Sequence, residues 1–456
     1  MISSAIKTSV FELFKIGPGP SSSHTIGPMK AAKDFLNRIQ NFTSKNLNLK
    51  ITLYGSLAAT GLGHGTDRAI LAGLLNKSPE ECEPEWFGNL FNDKNKIYKI
   101  SLSNSELYFN YSNIIFERGR FNFPHPNTII FQLLEKENIL LEEEYYSIGG
   151  GFIIRKNEVE NKTSKNIKFK FSNMEELESE LSKNNLSLPE LIIENEISQS
   201  DLKREEIFLK MDRIINFMIN AVDRGLKTEG VLPGSINLHR KAPSIFRKAK
   251  ENINKEEKFL IYLNAYCEAA SEENAAGNIV VTAPTSGASG VIPGVLYFLK
   301  NHKNISTEKI REGMFVAAAI GFLVKHNASI SGAEMGCMGE IGTASAMGAA
   351  IFAHCFGENI EVIESAAEIA IEHHLGMTCD PIGGYVQIPC IERNAMGAVK
   401  AFNAYLLAST GNKSYQKISL DNVIKVMKVT GDEMSKKYKE TSEAGLAGLS
   451  LNATEC

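Results

Sequence analysis

The sequence predicts an α+β multidomain protein, with an N-terminal α/β domain over residues 1–155, a linker over residues 156–205 and an all-α domain over residues 206–456. A chain of 456 residues is too long for one ordinary hydrophobic core. The first third mixes strand-like and helix-like segments, whereas Ala-rich helical segments alternate with Gly/Pro-rich breaks from about Ile207 onward. We expect these breaks to carry the chemistry, because loops on rigid scaffolds commonly do so.

Short segments of alternating polarity predict the strands of the N-terminal domain. Residues 48–54 alternate polar and apolar side chains, as a half-buried strand does. Residues 58–75 favour a helix, although glycines at positions 61, 63 and 65 weaken that prediction locally. Further strands are predicted at residues 96–102, 106–111 and 113–116.

The predicted linker is crowded with Lys, Glu, Asn and Ser and has few apolar residues, a composition typical of a connecting segment with one or two surface helices, such as residues 174–183. Beyond it, Ala-rich composition predicts helices at residues 260–270, 310–325, 342–356, 360–373 and 396–407.

Charge and hydropathy exclude several classes of function. The formal net charge of −4 gives no electrostatic reason to expect a nucleic acid or an anionic membrane as partner. The longest apolar runs, such as residues 315–324, are shorter than the ~20 residues that cross a bilayer. The N-terminus has no basic region followed by an apolar block, so we expect a cytoplasmic protein.

Three of the seven cysteines lie in turn-rich segments. Cys337 lies in the glycine-dense stretch 331–342, and Cys379 and Cys390 lie in residues 373–394, which several glycines and prolines interrupt. Such backbone leaves amides free to bond sulfur and allows close approach. The cysteines outside such breaks are interpreted as small buried side chains, namely Cys82, Cys267 and Cys355.

The spacing of the cysteines does not by itself identify a metal. No Cys-x-x-Cys pair is present, so an ordinary zinc site is poorly supported. A triad of thiolates suits an iron–sulfur cluster, and a [4Fe–4S] cluster with three cysteine ligands leaves one iron open for chemistry.

The segments around these cysteines resemble those of bacterial single-chain iron–sulfur L-serine dehydratases (L-serine ammonia-lyases). The resemblance is essentially full length, with small departures at Ser286, Ser289 and Met338. The matching segments are residues 17–25 (GPGPSSSHT), 63–68 (GHGTDR), 125–127 (HPN), 146–151 (YSIGGG), 274–287 (NAAGNIVVTAPTSG), 327–337 (NASISGAEMGC), 373–394 and 437–442 (KYKETS).

This resemblance implies the conversion of L-serine to pyruvate and ammonia at a [4Fe–4S] cluster that Cys337, Cys379 and Cys390 ligate. It implies that the thiolate of Cys456, the last residue, occupies the open iron when substrate is absent. It also implies a homodimer and an N-terminal domain similar to the allosteric substrate-binding domains of some dehydrogenases.

The reaction needs a base for the Cα proton and donors for the substrate carboxylate. His64 and His24 are the candidate bases, with His64 ranked first, because an unperturbed imidazole pKa of about 6.5 suits proton transfer near neutrality. An alternative role for His125 is to orient Asn127. The predicted substrate-binding residues are Ser21, Ser22, Ser23, Thr25, Asn127, Thr285, Ser286 and Gly287, although ordinary turn chemistry would also explain the individual serines.

Three other functions compete with this prediction. A pyridoxal-phosphate dehydratase would need a Schiff-base lysine beside a glycine-rich phosphate loop, and Lys241 and Lys325 lack that setting. An L-cysteine desulfidase with the same helical fold would release sulfide. A non-catalytic amino-acid sensor would use the N-terminal domain for binding alone.

Overall fold

The computed structural model of the chain describes residues 5–44, 46–119, 121–157, 166–251, 254–441 and 443–449. The N-terminal part contains α1 (Val10–Leu13), β1 (Ile16–Pro18), α2 (Gly27–Ile39), β2 (Leu47–Tyr54), α3 (Ser56–Thr60), α4 (Thr66–Leu74), α5 (Pro84–Gly88), β3 (Tyr98–Ser101), β4 (Glu106–Phe109), β5 (Ile114–Glu117), β6 (Thr128–Glu135), β7 (Asn138–Ser147) and β8 (Ile153–Arg155).

A mixed sheet with the strand order β5-β2-β6-β7-β8 organises this part. Strand β2 pairs with β5 in parallel and with β6 antiparallel, and β6, β7 and β8 continue antiparallel. Alternate residues of β2, including Leu49, Ile51 and Leu53, are buried in the core that α2 and α4 cover. The alternation of polarity in the sequence therefore marks the buried face of β2.

The remainder of the chain is helical apart from one short strand among its described residues. Its elements are α6 (Met174–Asn184), α7 (Leu188–Ser200), α8 (Arg204–Gly225), α9 (Ala242–Lys250), α10 (Lys255–Ala275), β9 (Ile279–Val281), α11 (Val291–His302), α12 (Thr307–Asn327), α13 (Gly332–Met335), α14 (Thr343–Cys355), α15 (Ile360–Glu372), α16 (Cys390–Thr410) and α17 (Leu420–Glu433).

Helices α12 and α14 form the centre of the helical part. Residues 313–324 of α12 and all residues of α14 are buried, so other elements surround these helices on every side. Their many alanines and glycines let neighbouring helices approach closely, as where a Cβ on Gly348 would lie 3.3 Å from that of Ala401. In the part of the chain that the structure describes, no helix is both long and apolar enough to cross a membrane.

The segment that the composition predicts as a linker is packed onto the helical core in the structure. Residues 174–200 form α6 and α7, and Leu177, Leu191 and Ile192 are buried in the same core as α12. The few apolar residues of this polar segment lie on one face of α6 and around the consecutive residues 191–193 of α7, and they are enough to dock it. The N-terminus also joins this core through Val10 and Leu13, so its first helix packs with the helical part and not with the sheet.

Strand β1 joins the two parts of the chain, because it pairs antiparallel with β9, with Gly17 opposite Val280. The chain then passes Gly19, where an added Cβ would lie 2.1 Å from the carbonyl oxygen of Asn274. This close approach requires glycine, and it places the serine-rich segment that follows against the loops of the helical part.

Candidate active site

His64 lies in a turn that interrupts the helix predicted over residues 58–75. The turn, residues 61–65, separates α3 from α4, and Gly65 adopts a φ of +65°. A Cβ on Gly63 would lie 3.0 Å from the carbonyl oxygen of Gly384 in the helical part. The glycines that weakened the helix prediction therefore let this turn meet the loop between Cys379 and Cys390.

A short π-helical turn, Ser22–Ile26, places His24 beside His64. The ring centroids of the two histidines are 4.5 Å apart. The Thr25 hydroxyl donates to the His64 carbonyl oxygen at 2.8 Å, and the Thr66 hydroxyl donates to the His24 carbonyl oxygen at 2.6 Å. These reciprocal bonds fix the two histidine-bearing segments relative to each other.

Hydrogen bonds at both ring nitrogens of His24 indicate its tautomer. The Ser56 hydroxyl donates to the Glu440 carbonyl oxygen at 2.6 Å, so it accepts from Nε2–H of His24 at 3.0 Å. Nδ1 of His24 then accepts from the Ser23 hydroxyl at 2.9 Å. Burial and the neighbouring His64 hold the pKa of His24 well below its usual range, so this ring is neutral.

His64 keeps one nitrogen without a partner. The Thr60 hydroxyl donates to the Ser56 carbonyl oxygen, so at 3.3 Å it can only accept from Nδ1–H of His64. Nε2 of His64 is buried and has no hydrogen-bond partner among the described residues. Burial lowers the pKa of His64 to about 3, which leaves Nε2 with a free lone pair at neutral pH.

The three cysteines from the turn-rich segments come together in the helical part. Cys337 follows Gly336, whose φ of +67° and close approach to the Met377 carbonyl oxygen both require glycine. Cys379 is held by its backbone N–H, which donates to the Tyr438 carbonyl oxygen at 2.8 Å. Cys390 is the first residue of α16 and directly follows the Gly/Pro-rich segment that begins after Cys379.

The environment of these thiols opposes ionisation in the absence of a cation. A hydrogen bond with Cys337, and then burial, raise the pKa of Cys379 well above its usual value, and burial and Cys337 do the same for Cys390. A bound metal supplies positive charge that reverses this balance and deprotonates coordinating thiols outright. A buried group of thiols with no disulfide among the described cysteines therefore fits a thiolate-bound metal centre.

Arg393 provides the positive side chain next to these thiols. Burial lowers its pKa, but Cys337 and Cys390 raise it, and the net shift is upward. The guanidinium donates to the Thr378 carbonyl oxygen at 2.7 Å and to an Asp380 oxygen at 3.2 Å. These bonds fix the guanidinium beside residues 378–380, where its positive charge favours the thiolate forms of Cys337 and Cys390.

A cavity joins His64 of the N-terminal part to the three cysteines of the helical part. It contains about 360 Å³ of space free of atoms, part of it open to solvent. Its walls are formed by Ser21, His64, Gly287, Cys337, Glu340, Ile341, Cys379, Pro381, Val386, Cys390 and Glu440. The predicted base and the three predicted cluster ligands therefore share one cavity, and Cys456 lies outside the described residues.

The predicted substrate-binding residues fall into two groups. Ser21 and Gly287 line the cavity, whereas the other predicted residues are not part of its wall. The Ser22 hydroxyl accepts from the Ser286 N–H at 3.3 Å, which ties the two predicted substrate loops together across the domain boundary. The hydroxyl of Ser286 is buried without a partner among the described residues.

The side chains of Asn127 and of its neighbour Ser147 bond to backbone carbonyl oxygens around the site. Asn127 donates from Nδ2 to the Ser147 carbonyl oxygen at 3.2 Å, and its own N–H donates to Nδ1 of His125 at 3.0 Å. The Ser147 hydroxyl in turn donates to the Ser23 carbonyl oxygen at 2.7 Å. Thr285 is buried beside Glu340, where its hydroxyl partly offsets the effect of burial on that carboxyl group.

Two carboxyl groups of the cavity wall, those of Glu340 and Glu440, could not be predicted from the sequence. Burial raises the pKa of Glu340 to about 7 and, together with Glu340, raises that of Glu440 well above its usual range. Glu340 packs against Gly287 and Gly332, where a Cβ would lie 3.0 and 2.7 Å from its carboxylate. The only signals for these residues were their places in the glycine-dense segment of Cys337 and in residues 437–442.

Two family models match this chain. The model of the serine dehydratase beta chain matches residues 9–158, and that of the serine dehydratase alpha chain matches residues 183–447. The chain belongs to the serine dehydratase family. The order of the two matches agrees with the mixed sheet followed by helices, so the predicted fold class and family resemblance are both confirmed.

Similar proteins extend this family assignment over the whole chain. An L-serine dehydratase of Streptomyces coelicolor is 42% identical, over 98% of this chain and 99% of the relative. The L-serine dehydratases of Helicobacter pylori strain 26695 and Escherichia coli (TdcG) are each 42% identical, over 96% of this chain and 98% of the relative.

Proposed function

We propose that this member of the serine dehydratase family converts L-serine to pyruvate and ammonia, with a [4Fe–4S] cluster bound by Cys337, Cys379 and Cys390. The observation that carries the proposal is the cavity in which the partnerless Nε2 of His64 and these three sulfurs share one space. The names of the similar proteins support the same reaction.

The cysteines are well suited to hold such a cluster. Cys337 and Cys379 place their sulfurs within 4.8 Å of each other and of a Glu340 oxygen, and Cys390 lies on the same cavity. When bound, a cluster with three protein thiolates offers an open iron that acts as a Lewis acid toward the β-hydroxyl of serine. The positive Arg393 stabilises the ligating thiolates.

We assign the removal of the Cα proton to Nε2 of His64. Its neutral form and its lack of a partner support this role, whereas both nitrogens of His24 are engaged by Ser23 and Ser56. Loss of the Cα proton and the β-hydroxyl gives 2-aminoacrylate, which tautomerises and is hydrolysed to pyruvate and ammonia. His24 positions the base, because its ring packs edge to face against that of His64.

The substrate carboxylate is assigned to the wall that Ser21 and Gly287 form. Ser21 precedes the π-helical turn and Gly287 lies in the loop that Ser22 contacts, so both domains contribute donors. Hydroxyls and amides on such loops present several donors to one anion. The partnerless hydroxyl of Ser286 supports the same assignment.

Neither candidate Schiff-base lysine is positioned for pyridoxal-phosphate chemistry. Lys241 forms an exposed ion pair with Glu392, and Lys325 lies over the Phe152 ring with its ammonium group 4.2 Å from the centroid. Neither residue is part of the cavity wall.

The proposal includes a cytoplasmic homodimer without nucleic-acid or membrane partners. Its support is the family resemblance and the net charge of −4.

Spectroscopy of anaerobically purified protein tests the cofactor. We expect broad absorbance near 400 nm that dithionite bleaches, because thiolate-to-iron charge transfer produces such a band. Activity and absorbance should decay in air and return with ferrous iron and thiol, since the open iron is easily lost on oxidation. A sharp aldimine band, or full turnover that persists in aerated buffer, would contradict the cluster assignment.

We infer in addition that Cys456 binds the open iron when substrate is absent. The C-terminal tail, from residue 440 onward, contacts the loop that contains Cys379 and Asp380. The Cys379 carbonyl oxygen accepts from the Glu440 N–H at 2.7 Å, and an Asp380 oxygen accepts from the Leu446 N–H at 2.9 Å. The chain from Leu449 to Cys456 spans at most roughly 25 Å when fully extended. A tethered thiolate competes at an effective concentration of roughly millimolar.

Deletion of Cys456, or Cys456→Ser, should speed the loss of the cluster in air and change any lag in activation, because the open iron would lose its tethered ligand. The measurement follows cluster absorbance and progress curves of both forms under matched anaerobic and aerobic conditions. Indistinguishable decay and lag would show that Cys456 has no part in the resting state.

A further inference from the structure

Glu440 is held in an uncommon backbone conformation at the boundary between the two domains. Its φ is +57°, a left-handed value that is rare for a residue with a side chain. Its N–H donates to the Cys379 carbonyl oxygen at 2.7 Å, and its carbonyl oxygen accepts from the Ser56 hydroxyl at 2.6 Å. Both parts of the protein therefore fix the direction of this side chain, and such conformations cluster at ligand-binding positions.

The carboxylate of Glu440 faces the cavity with one oxygen unsatisfied. The residue is only 5% exposed, and its Oε2 has no hydrogen-bond partner among the described residues. Its Oε1 lies 3.5 Å from Nδ1 of His24, the nitrogen that accepts from the Ser23 hydroxyl. A buried carboxylate oxygen without a donor is costly, so the site is built to receive a donor that the protein itself does not supply.

L-Serine brings one cationic group, its α-ammonium, which donates hydrogen bonds to carboxyl oxygens. Two carboxylates line the cavity, those of Glu340 and Glu440. An oxygen of Glu340 lies 4.0 Å from Sγ of Cys379, on the cysteine side. Glu440 lies on the histidine side, with an oxygen within 4.8 Å of a ring nitrogen of His64 and of one of His24.

The ammonium group and the proton that is removed are attached to the same carbon atom. The ammonium acceptor is therefore expected close to the base, which is His64 in the proposed function. We propose that Glu440 binds the α-ammonium of the substrate through its Oε2, and that this contact distinguishes α-amino acids from other small carboxylates. The inference rests on the proposed function for the position of the base.

A pair of inhibitors that differ only in the ammonium group tests this site. L-Alanine and propanoate share a carboxylate and a methyl group, and neither can lose a β-hydroxyl. In the cluster-loaded wild-type protein we expect L-alanine to inhibit at about 10- to 100-fold lower concentration, as a charge-assisted hydrogen bond to a buried carboxylate provides. Equal inhibition by the two compounds would overturn the proposal without any variant.

The isosteric change Glu440→Gln should remove most of that preference. It should raise the inhibition constant of L-alanine and the KM for L-serine by about 10-fold or more, while the constant of propanoate changes by less than about threefold. If the variant has too little turnover for inhibition to be measured, calorimetry measures the binding of both compounds directly. Because the readout is a difference between two ligands on one sample, a general loss of stability does not imitate it.

Three further variants define the outcome. Glu443→Gln changes an exposed carboxylate of the same tail and should leave the preference intact. Glu440→Asp keeps the charge with a shorter reach and should retain part of it, which also covers the case that Glu440→Gln does not fold. Loss of the preference in Glu340→Gln, and not in the Glu440 variants, would assign the ammonium to the other carboxylate and overturn the proposal.

The two proposals fail in different ways. A cluster-loaded wild-type protein that forms no pyruvate from L-serine contradicts the proposed function. Normal turnover of the wild-type protein, with equal changes in the L-alanine and propanoate constants in Glu440→Gln, contradicts only the ammonium site.

Discussion

We expect each of the single changes Cys337→Ser, Cys379→Ser and Cys390→Ser to abolish both the visible absorbance of the cluster and the formation of pyruvate. The three thiols are buried on one cavity, and a serine hydroxyl stays protonated where a thiol gives up its proton to iron. No other described cysteine lies on this cavity to take the place of one of the three. Iron and sulfide analysis of anaerobically purified variants measures the loss directly.

Cys355→Ser is the best matched control for these variants. Cys355 is buried in the same helical core, but its Sγ lies 3.8 Å from the Lys309 carbonyl oxygen, to which a serine hydroxyl can also donate. Cys82→Ser and Cys267→Ser should likewise keep colour and activity, although Cys267 packs tightly on Gly294 and is more sensitive to volume. Full colour and full activity in Cys379→Ser would show that the ligand assignment is wrong.

The second large effect is expected for the proposed base. His64→Ala should lower turnover by ~10²-fold or more, as the loss of a general base commonly does, and leave the cluster spectrum unchanged. The side chain is in the N-terminal part, outside the helical part that holds the cysteines, so its removal leaves their ligand set intact. Exchange of the serine Cα proton with solvent deuterium should fall in parallel with turnover.

His239→Ala serves as the control, because His239 is exposed and takes part in a backbone bridge with Val231 that its side chain does not need. A near-normal rate of exchange and turnover in His64→Ala would remove the base role from this residue. His24→Ala would then be the next variant to measure.

The elements with a clear local pattern could be predicted from the sequence. Alternating polarity predicted strands that correspond to β2, β3, β4 and β5, and Ala-rich segments predicted the helices that correspond to α10, α12, α14, α15 and α16. The longest hairpin, β6–β7, was missed because residues 142–144 are three consecutive glutamates that hide the alternation. The helices of the predicted linker were missed as core elements because their apolar residues are few and lie within a mostly polar segment.

The site residues also separate into those with a local sequence pattern and those that depend on contacts between distant segments. Cys337, Cys379 and Cys390 were found because their glycine- and proline-rich surroundings are visible locally. Glu440 was not, because its importance depends on a contact with Ser56 that lies 384 residues away in the sequence. The difference between His24 and His64 was also invisible, since it depends on which hydroxyls satisfy each ring.

The proposed function requires one cavity to combine a base from the N-terminal part with a cysteine-bound cluster in the helical part, so that water is eliminated from L-serine. Its most direct test is to measure pyruvate and ammonia formed from L-serine by anaerobically purified protein whose iron and sulfide contents are determined on the same sample. We predict about four iron and four sulfide per chain, with pyruvate and ammonia formed in equal amounts at a rate proportional to iron content. A fully loaded protein that forms no pyruvate, or undiminished turnover by an iron-free protein, would contradict the account.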